Sequence, residues 1–399
     1  MAPGLITMRR LLTFVLAFMV LVASLAIGAM AADLPFWRRA LKLPLPADVL
    51  YLPVATIGAD GGRKTVRPAT NEGETASSEP GGGPLEAAVG LARAAGSRAL
   101  LATRDGRRVL SRYFSADDDD SLLPAGMIAR PLLAMSVGLA IAERRIESLD
   151  VPVSRYLTEW EDEPRGRITL RQLLEDTSGL ETGGDIHRLL RRSPWDNLGA
   201  LPEFATAKGV RLLLGNDFAD TALRFELQHE PGGFYNESPA NSQLAAVILE
   251  RATLMPYETF VDQRLWRPSG AGRAELSLDR RAGMPVAHCC WRATAPDMLR
   301  ILDLLANAGM QNGVAVVPAE WIQEMARASR VNADSGLQLR RVSIGGELAL
   351  SGSDDDGGAF WVFPGRRLTI LDVVNPEGSS PPELAALLLP VLAEGRFSK

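Results

Sequence analysis

Few side chains in this sequence are suited to covalent chemistry, and their spacing narrows the choice further. There are three histidines (His187, His229, His288), two adjacent cysteines (Cys289, Cys290) and four lysines (Lys42, Lys64, Lys208, Lys399). A serine nucleophile needs a neighbouring base to take its proton. No Gly-x-Ser-x-Gly elbow occurs, and the histidines are scattered along the chain. Ser136 falls in an apolar helical stretch, where its hydroxyl is expected to bond the backbone one turn earlier. His-x-x-x-His and Cys-x-x-Cys spacings are absent. The acidic runs Asp117 to Asp120 and Asp354 to Asp356 lack the spacing of a calcium loop and read as solvated loops. No metal and no cofactor are predicted. Cys289 and Cys290 read as packed thiols, with a vicinal disulfide as the alternative.

The elements that must position these groups start from a chain of 399 residues with a formal charge of −5 and 46% hydrophobic residues. That balance suits a globular body with a sizeable core. No clustered basic stripe is present, which argues against nucleic acid as a partner. Two adjacent cysteines exclude a disulfide scaffold. Arg9 and Arg10 precede an uncharged run from Leu11 to Ala32, 22 residues long. About 20 apolar residues in helical form cross a bilayer, so the run predicts a membrane anchor with the body on the extracytoplasmic (periplasmic) face. The small-x-small sequence Ala29-Met30-Ala31 keeps a cleaved signal peptide open, with the same destination. Residues 1–33 are therefore predicted as anchor or signal, 34–84 as membrane-proximal segment and flexible linker, and 85–399 as the folded domain. The linker reading rests on the Gly-, Ser-, Thr- and Pro-rich stretch from Asp60 to Pro84.

Within the body, Leu85 to Ala95 reads as a helix. Ala99 to Thr103 and Val109 to Phe114 flank Arg104-Asp105-Gly106, a strong hairpin signal. Pro131 to Arg145 is apolar nearly all round and predicts a buried helix. Leu170 to Glu175 and Ser242 to Ala252 are helical. Val342 to Leu350, Ala359 to Phe363 and Leu368 to Val374 read as strands, and Pro382 to Ala393 closes the chain as a helix. Strands at both ends and helices between them predict one sheet built from both ends of the domain, with a helical insertion.

Several segments together resemble the serine β-lactamase-related hydrolases, the group of class C β-lactamases, D-Ala-D-Ala peptidases, esterases and 6-aminohexanoate-dimer hydrolases. They are Val137-Gly138-Leu139-Ala140-Ile141-Ala142, Ile146 to Asp150, Pro152 to Leu157, Ile168 to Leu174, Thr177-Ser178-Gly179-Leu180, Gln243 to Ala252, and His288 to Asp297. The resemblance covers roughly residues 86–396. It implies an α/β (α+β) fold of the β-lactamase/transpeptidase type: a mixed antiparallel sheet flanked by helices, plus an all-helical subdomain over roughly 125–285. The active site would lie between the two. It also implies that Ser178 belongs to a structural turn and that the cysteines have no catalytic duty.

That family's chemistry begins from Ser-x-x-Lys, where a neutral lysine one turn on takes the serine proton. The family spacing puts the lysine eight residues before Gly138, at Arg130, and the serine at Met127. Methionine is no nucleophile, and arginine stays protonated. The four lysines test this without alignment, because the motif needs serine at 39, 61, 205 or 396. Those positions hold Arg39, Gly61, Ala205 and Arg396. A second element, Tyr-x-Asn or Tyr-x-Ser, has Tyr235-Asn236-Glu237 as its local candidate. Counting from Gln243 instead puts Glu237 at the tyrosine position and Pro239 at the third, so Tyr235 would have to act from two residues away. The third element, a Lys-Thr-Gly or His-x-Gly strand, corresponds to Ser351 to Gly358, with Asp355 or Asp356 in the basic position. An anionic ligand group would be repelled there.

These losses predict a pseudoenzyme. It would bind a peptidoglycan-like, amide or ester small molecule, or an envelope protein partner, in the old cleft, with Tyr235, Asn236, Asp355 and Gly357 as candidate lining. Two alternatives remain: a working amide or ester hydrolase with relocated residues that uses Tyr235 and an unexpected serine, and a cell-envelope scaffold.

Overall fold

The computed structural model describes residues 33–42, 52–58, 83–184, 201–354, 357–375 and 378–394, with isolated positions at 15, 19, 20, 24, 28 and 199. Along the chain come α1 (Leu34–Ala40), β1 (Val54–Ile57), α2 (Pro84–Ala94), β2 (Ser97–Arg104), β3 (Arg107–Tyr113), β4 (Leu123–Pro124) and α3 (Ala129–Ala142). The helical part continues with α4 (Leu170–Leu174), α5 (Leu201–Thr206), α6 (Lys208–Leu214), α7 (Phe218–Leu223), α8 (Pro239–Thr253) and α9 (Tyr257–Val261). Then follow β5 (Ala274–Ser277), β6 (Trp291–Ala293), α10 (Ala295–Ala306), β7 (Met310–Gln311), β8 (Val314–Ala315) and α11 (Ala319–Met325). β9 (Arg340–Ile344), β10 (Glu347–Ser353), β11 (Ala359–Phe363), β12 (Leu368–Val374) and α12 (Glu383–Glu394) complete it.

The main sheet has the order β3-β2-β12-β11-β10-β9 and is antiparallel at every pairing. Both ends of the domain supply it, as the pattern predicts, and helices of the middle lie beside it. One face is covered by α2 and α12, through Ala88, Ala92, Leu384 and Leu388. The other carries the larger core, in which α3 and α8 are almost wholly buried. The stretch predicted as one strand over Val342 to Leu350 is a hairpin instead. Gly345 and Gly346 both have positive φ (59° and 82°) and turn the chain between β9 and β10. The Asp105-Gly106 turn joins β2 to β3 as expected. Ser136 donates its hydroxyl to the carbonyl of Leu132 at 2.8 Å. Gly138 is required by packing, since a Cβ there would sit 2.2 Å from the indole nitrogen of Trp321, which donates to the carbonyl of Ala134.

Part of the segment predicted as linker belongs to the body. β1 pairs with β5 in a second sheet of order β1-β5-β6-β4. In α1, Phe36 and Ala40 are fully buried. Arg211 lies over the Phe36 ring at 4.7 Å and pairs with Asp33 at 2.7 Å. Arg39 gives its guanidinium to the carbonyls of Leu214, Gly215 and Asp279. A boundary at 85 thus leaves outside the body two short pieces whose apolar side chains lie in its core. Their brevity hid them, because four to seven residues give too few periods for a pattern to emerge. The Gly-rich stretch 59–82 and most of the Leu11 to Ala32 run lie outside the described residues. Among the described residues no helix is long and apolar enough to cross a membrane.

One buried acid couples the sheet to pH. Asp303 on α10 is 2% exposed and accepts hydrogen bonds from Thr103 on β2 and from Thr369 on β12, the latter at 2.7 Å. Burial pushes its carboxyl from an ordinary 3.8 up to about 6, against the pull of the two hydroxyls. The folded chain alone disfavours the charged form. The cost is therefore absent below the unfolded value, grows as pH rises and levels off above the folded one, at ~3 kcal/mol. About 2 kcal/mol of it falls between pH 4.5 and 7. Asp303→Asn should lose this component, so its stability relative to the native chain should improve by that amount between those pH values in urea melts. A constant difference would refute the assignment.

Candidate active site

A 3-10 turn over Gly126–Ile128 leads into α3 and sets the cleft's floor. Met127 lies in the turn and is 3% exposed, while Arg130 stands one residue into the helix. Two further elements close around them: the loop from Tyr235 to Glu237 before α8, and the end of β10. A cavity of about 210 Å³ results, lined among others by Met127, Arg130, Tyr235, Glu237, Ser353 and Asp354.

Arg130 is held from three sides. Its guanidinium pairs with Asp176, donates from Nε to Gln338 Oε1 at 3.1 Å, and lies 3.8 Å from Glu237. Asp176 is 3% exposed and takes a second bond from Asn241 Nδ2 at 2.9 Å. Asn241 accepts from Ser178 at 2.6 Å, and Ser242 donates to Gln338 at 2.6 Å. α4 ends at this network and α8 starts in it. Burial works against the Arg130 charge, but Asp176 and Glu237 outweigh it and raise the pKa further. Arg130 is a fixed cation, unable to act as a base.

The tyrosine is locked as well. Its hydroxyl donates to Glu237 Oε1 at 2.6 Å, and Arg340 donates to the same oxygen at 2.9 Å. Burial first, and the Glu237 carboxylate second, push the Tyr235 hydroxyl well above the usual tyrosine range. Burial pushes Glu237 upward, but Arg130, the Tyr235 hydroxyl and Arg340 prevail and hold it below the ordinary value. Tyr235 and Glu237, which compete for one role in the sequence, share the cavity as a bonded pair.

Other expected lining residues turn out differently. Asn236 gives its side-chain amide to the carbonyl of Leu180 at 2.9 Å and its backbone N–H to that of Asp176 at 2.7 Å, so it fastens the loop to the subdomain. Gly357 (φ 83°) belongs to a turn in which a Cβ would meet the carbonyl oxygen of Gly378 at 2.2 Å, and it does not line the cavity. Asp355 and Asp356 lie outside the described residues. Asp354, read as solvated loop, instead reaches into the cleft: Oδ2 accepts the Met127 N–H and Oδ1 the Gly358 N–H, both at 2.9 Å. Sequence reading also missed Asp176, Gln338 and Arg340. Only Asp176 carried a signal, as the residue just before the Thr177-Ser178-Gly179 turn.

Ser335, Ser351 and Ser353 line the cavity too. Among the described residues none of them gives its hydroxyl to a carboxylate, imidazole or amine, so none has a partner to take its proton. His288 does not line this cavity; burial and, secondarily, Arg130 press its pKa down to about 4, which makes it a weak base, and among the described residues its buried Nδ1 has no partner. Beside it Cys289 and Cys290 form a disulfide between sequence neighbours, which corrects the expectation of packed thiols. His187 lies outside the described residues, and the His229 ring rests 5.0 Å from that of Phe234. Among the described residues no group of three or more His, Cys, Asp or Glu is placed to hold a metal ion.

The comparisons agree with this architecture. A curated relative, the 6-aminohexanoate-dimer hydrolase of Paenarthrobacter ureafaciens, is 25% identical over 226 residues, 55% of this chain and 55% of that protein. The match thus spans about half the length of that relative. A Bacillus anthracis structure provisionally assigned as a 6-aminohexanoate-dimer hydrolase superposes with a TM-score of 0.63 at 19% identity, over 77% of this chain and 80% of the other. An octameric penicillin-binding protein homologue from Pyrococcus abyssi gives 0.58 at 16% identity, over 79% and 78%. At these identities the structural likeness speaks for the fold. The Beta-lactamase family profile matches residues 85–393, and with that span, this sheet and this cleft, the chain belongs to the Beta-lactamase family of serine hydrolase-related proteins.

Proposed function

We propose that this family member has lost serine acylation chemistry and uses its cleft to bind a ligand. The observation that carries the reading is the pair at the start of α3: a methionine where the nucleophile belongs and an arginine tied to buried Asp176 where the base belongs. A thioether and a permanently charged guanidinium offer neither an attacking hydroxyl nor a proton acceptor. The cavity between Met127 and Tyr235 is open rather than filled by side chains, which favours a small ligand over a purely scaffolding role. The ligand proposed is an amide- or ester-bearing small molecule or a peptidoglycan-like fragment, and the amide class is the one that the name of the 6-aminohexanoate-dimer hydrolase relative supports. The apolar run from Leu11 to Ala32 supports an extracytoplasmic body held at a membrane or exported by a signal.

The test uses the full chain. Incubated with a fluorescent penicillin or a fluorophosphonate, it should acquire no covalent label, and nitrocefin and p-nitrophenyl esters should show no saturable turnover. Turnover abolished by one substitution at Ser351 or Ser353, with the melting temperature unchanged, would establish the relocated hydrolase instead.

A further inference from the structure

The same cleft contains two backbone amides that point at one group. Met127 N–H comes from the turn before α3 and Gly358 N–H from the residue before β11, and the chain places them 231 residues apart. Both end on the carboxylate of Asp354, one on each oxygen, at 2.9 Å. The bond to Gly358 is part of a local turn, in which the Asp354 N–H also donates to the Gly358 carbonyl at 3.1 Å. The bond to Met127 crosses between elements. Glycines make room for it. A Cβ on Gly126 would lie 3.0 Å from Asp354 Oδ2, and one on Gly358 would lie 2.2 Å from the Met127 methyl.

Two backbone N–H donors that converge on one carboxylate, one for each of its oxygens, at the wall of the cavity, constitute a site for a carboxylate. We propose that this is an oxyanion-binding site of the protein, closed in cis by Asp354: the carboxylate serves as its built-in occupant. A ligand carboxylate approaching the cleft meets both an occupied pair of donors and a like charge, so the native chain rejects it. Taking the Asp354 carboxylate away frees the Met127 and Gly358 amides for a carboxylate from outside. Arg130 and Arg340 line the same cavity, both paired there with Glu237, so the frame carries balanced charge and the two amides supply the recognition. The inference rests on the reading of this cleft as a ligand site without acylation chemistry, and it adds which ligand charge the native site excludes and which residue excludes it.

Benzoate serves as the probe, with benzamide as its uncharged control, titrated calorimetrically into the full native chain and into Asp354→Ala. Benzoate should bind Asp354→Ala at least tenfold more tightly than the native chain, whereas benzamide should not distinguish them. Equal benzoate affinities in the two folded proteins, or no binding to either, would make Asp354 a structural cap and overturn the proposal. Should Asp354→Ala fail to fold, Asp354→Asn replaces it, since its carbonyl oxygen keeps the turn bond to Gly358 while the charge is gone. A gain in benzoate affinity of the same sign is then expected, and its absence is fatal. Penicillin labelling of the native chain would sink the loss of acylation chemistry and leave this comparison standing, so the two failures are distinguishable.

Discussion

Arg130→Ala should lower the stability of the chain by about 3–5 kcal/mol, the largest loss expected from a single cleft substitution. The reason lies in what remains. Asp176 is 3% exposed, and without the guanidinium its carboxylate keeps, among the described residues, only the Asn241 amide as a side-chain donor. Gln338 loses the Nε donor at the same time. Urea unfolding of Arg130→Ala beside Asp176→Asn and the double variant would measure the coupling directly. The double variant should recover much of the loss, because no buried charge is then left alone. A single-variant cost under about 1 kcal/mol would mean that the pair is effectively solvated. Arg130→Lys should fall between, keeping a charge but losing the planar fork that reaches Asp176 and Gln338 together. The same pair explains why Met127→Ser with Arg130→Lys would not by itself supply a working Ser-x-x-Lys. A lysine drawn by Asp176 and Glu237 stays protonated, and a protonated amine takes no proton from serine.

A chain cut to begin at residue 85 should be much less stable than the full chain and should aggregate, although the family match itself starts there. The cut removes Phe36 and Ala40 from the core and takes β1 off the edge of the second sheet, baring the N–H and C=O groups of β5. Phe36→Ala alone should cost about 3–5 kcal/mol, since the ring is fully buried between Phe204 and the Arg211 guanidinium. Thermal melts of Phe36→Ala and of the shortened chain would show both effects. A shortened chain that melts with the full one would reduce α1 and β1 to ornaments of the surface.

The strands and helices with long, clean patterns were legible in the sequence: the Asp105-Gly106 hairpin, the buried α3, and the closing β11, β12 and α12. Their signals are local and run over many residues. The pieces around 36 and 54 were not, because their burial depends on partners some two hundred residues away, as in the pairing of Val54 with Ser277. The absence of a Ser-x-x-Lys could be read from Met127, Arg130 and the positions of four lysines. What occupies its place could not. The Arg130–Asp176 pair and the reach of Asp354 to Met127 join residues 46 and 227 apart, and spacing says nothing of such meetings. Asn236 and Gly357 show the converse error, where neighbours of a motif serve the backbone rather than the cavity.

The pairing of β2 with β12 in the main sheet has a consequence for biogenesis. Leu101 of β2 faces Leu371 of β12, 270 positions later. During synthesis the first hairpin must therefore wait, with one flank of β2 bare, until nearly the whole chain has emerged. Loop-closure entropy makes such a distant contact slow to form, and a bare strand flank invites pairing with another nascent chain.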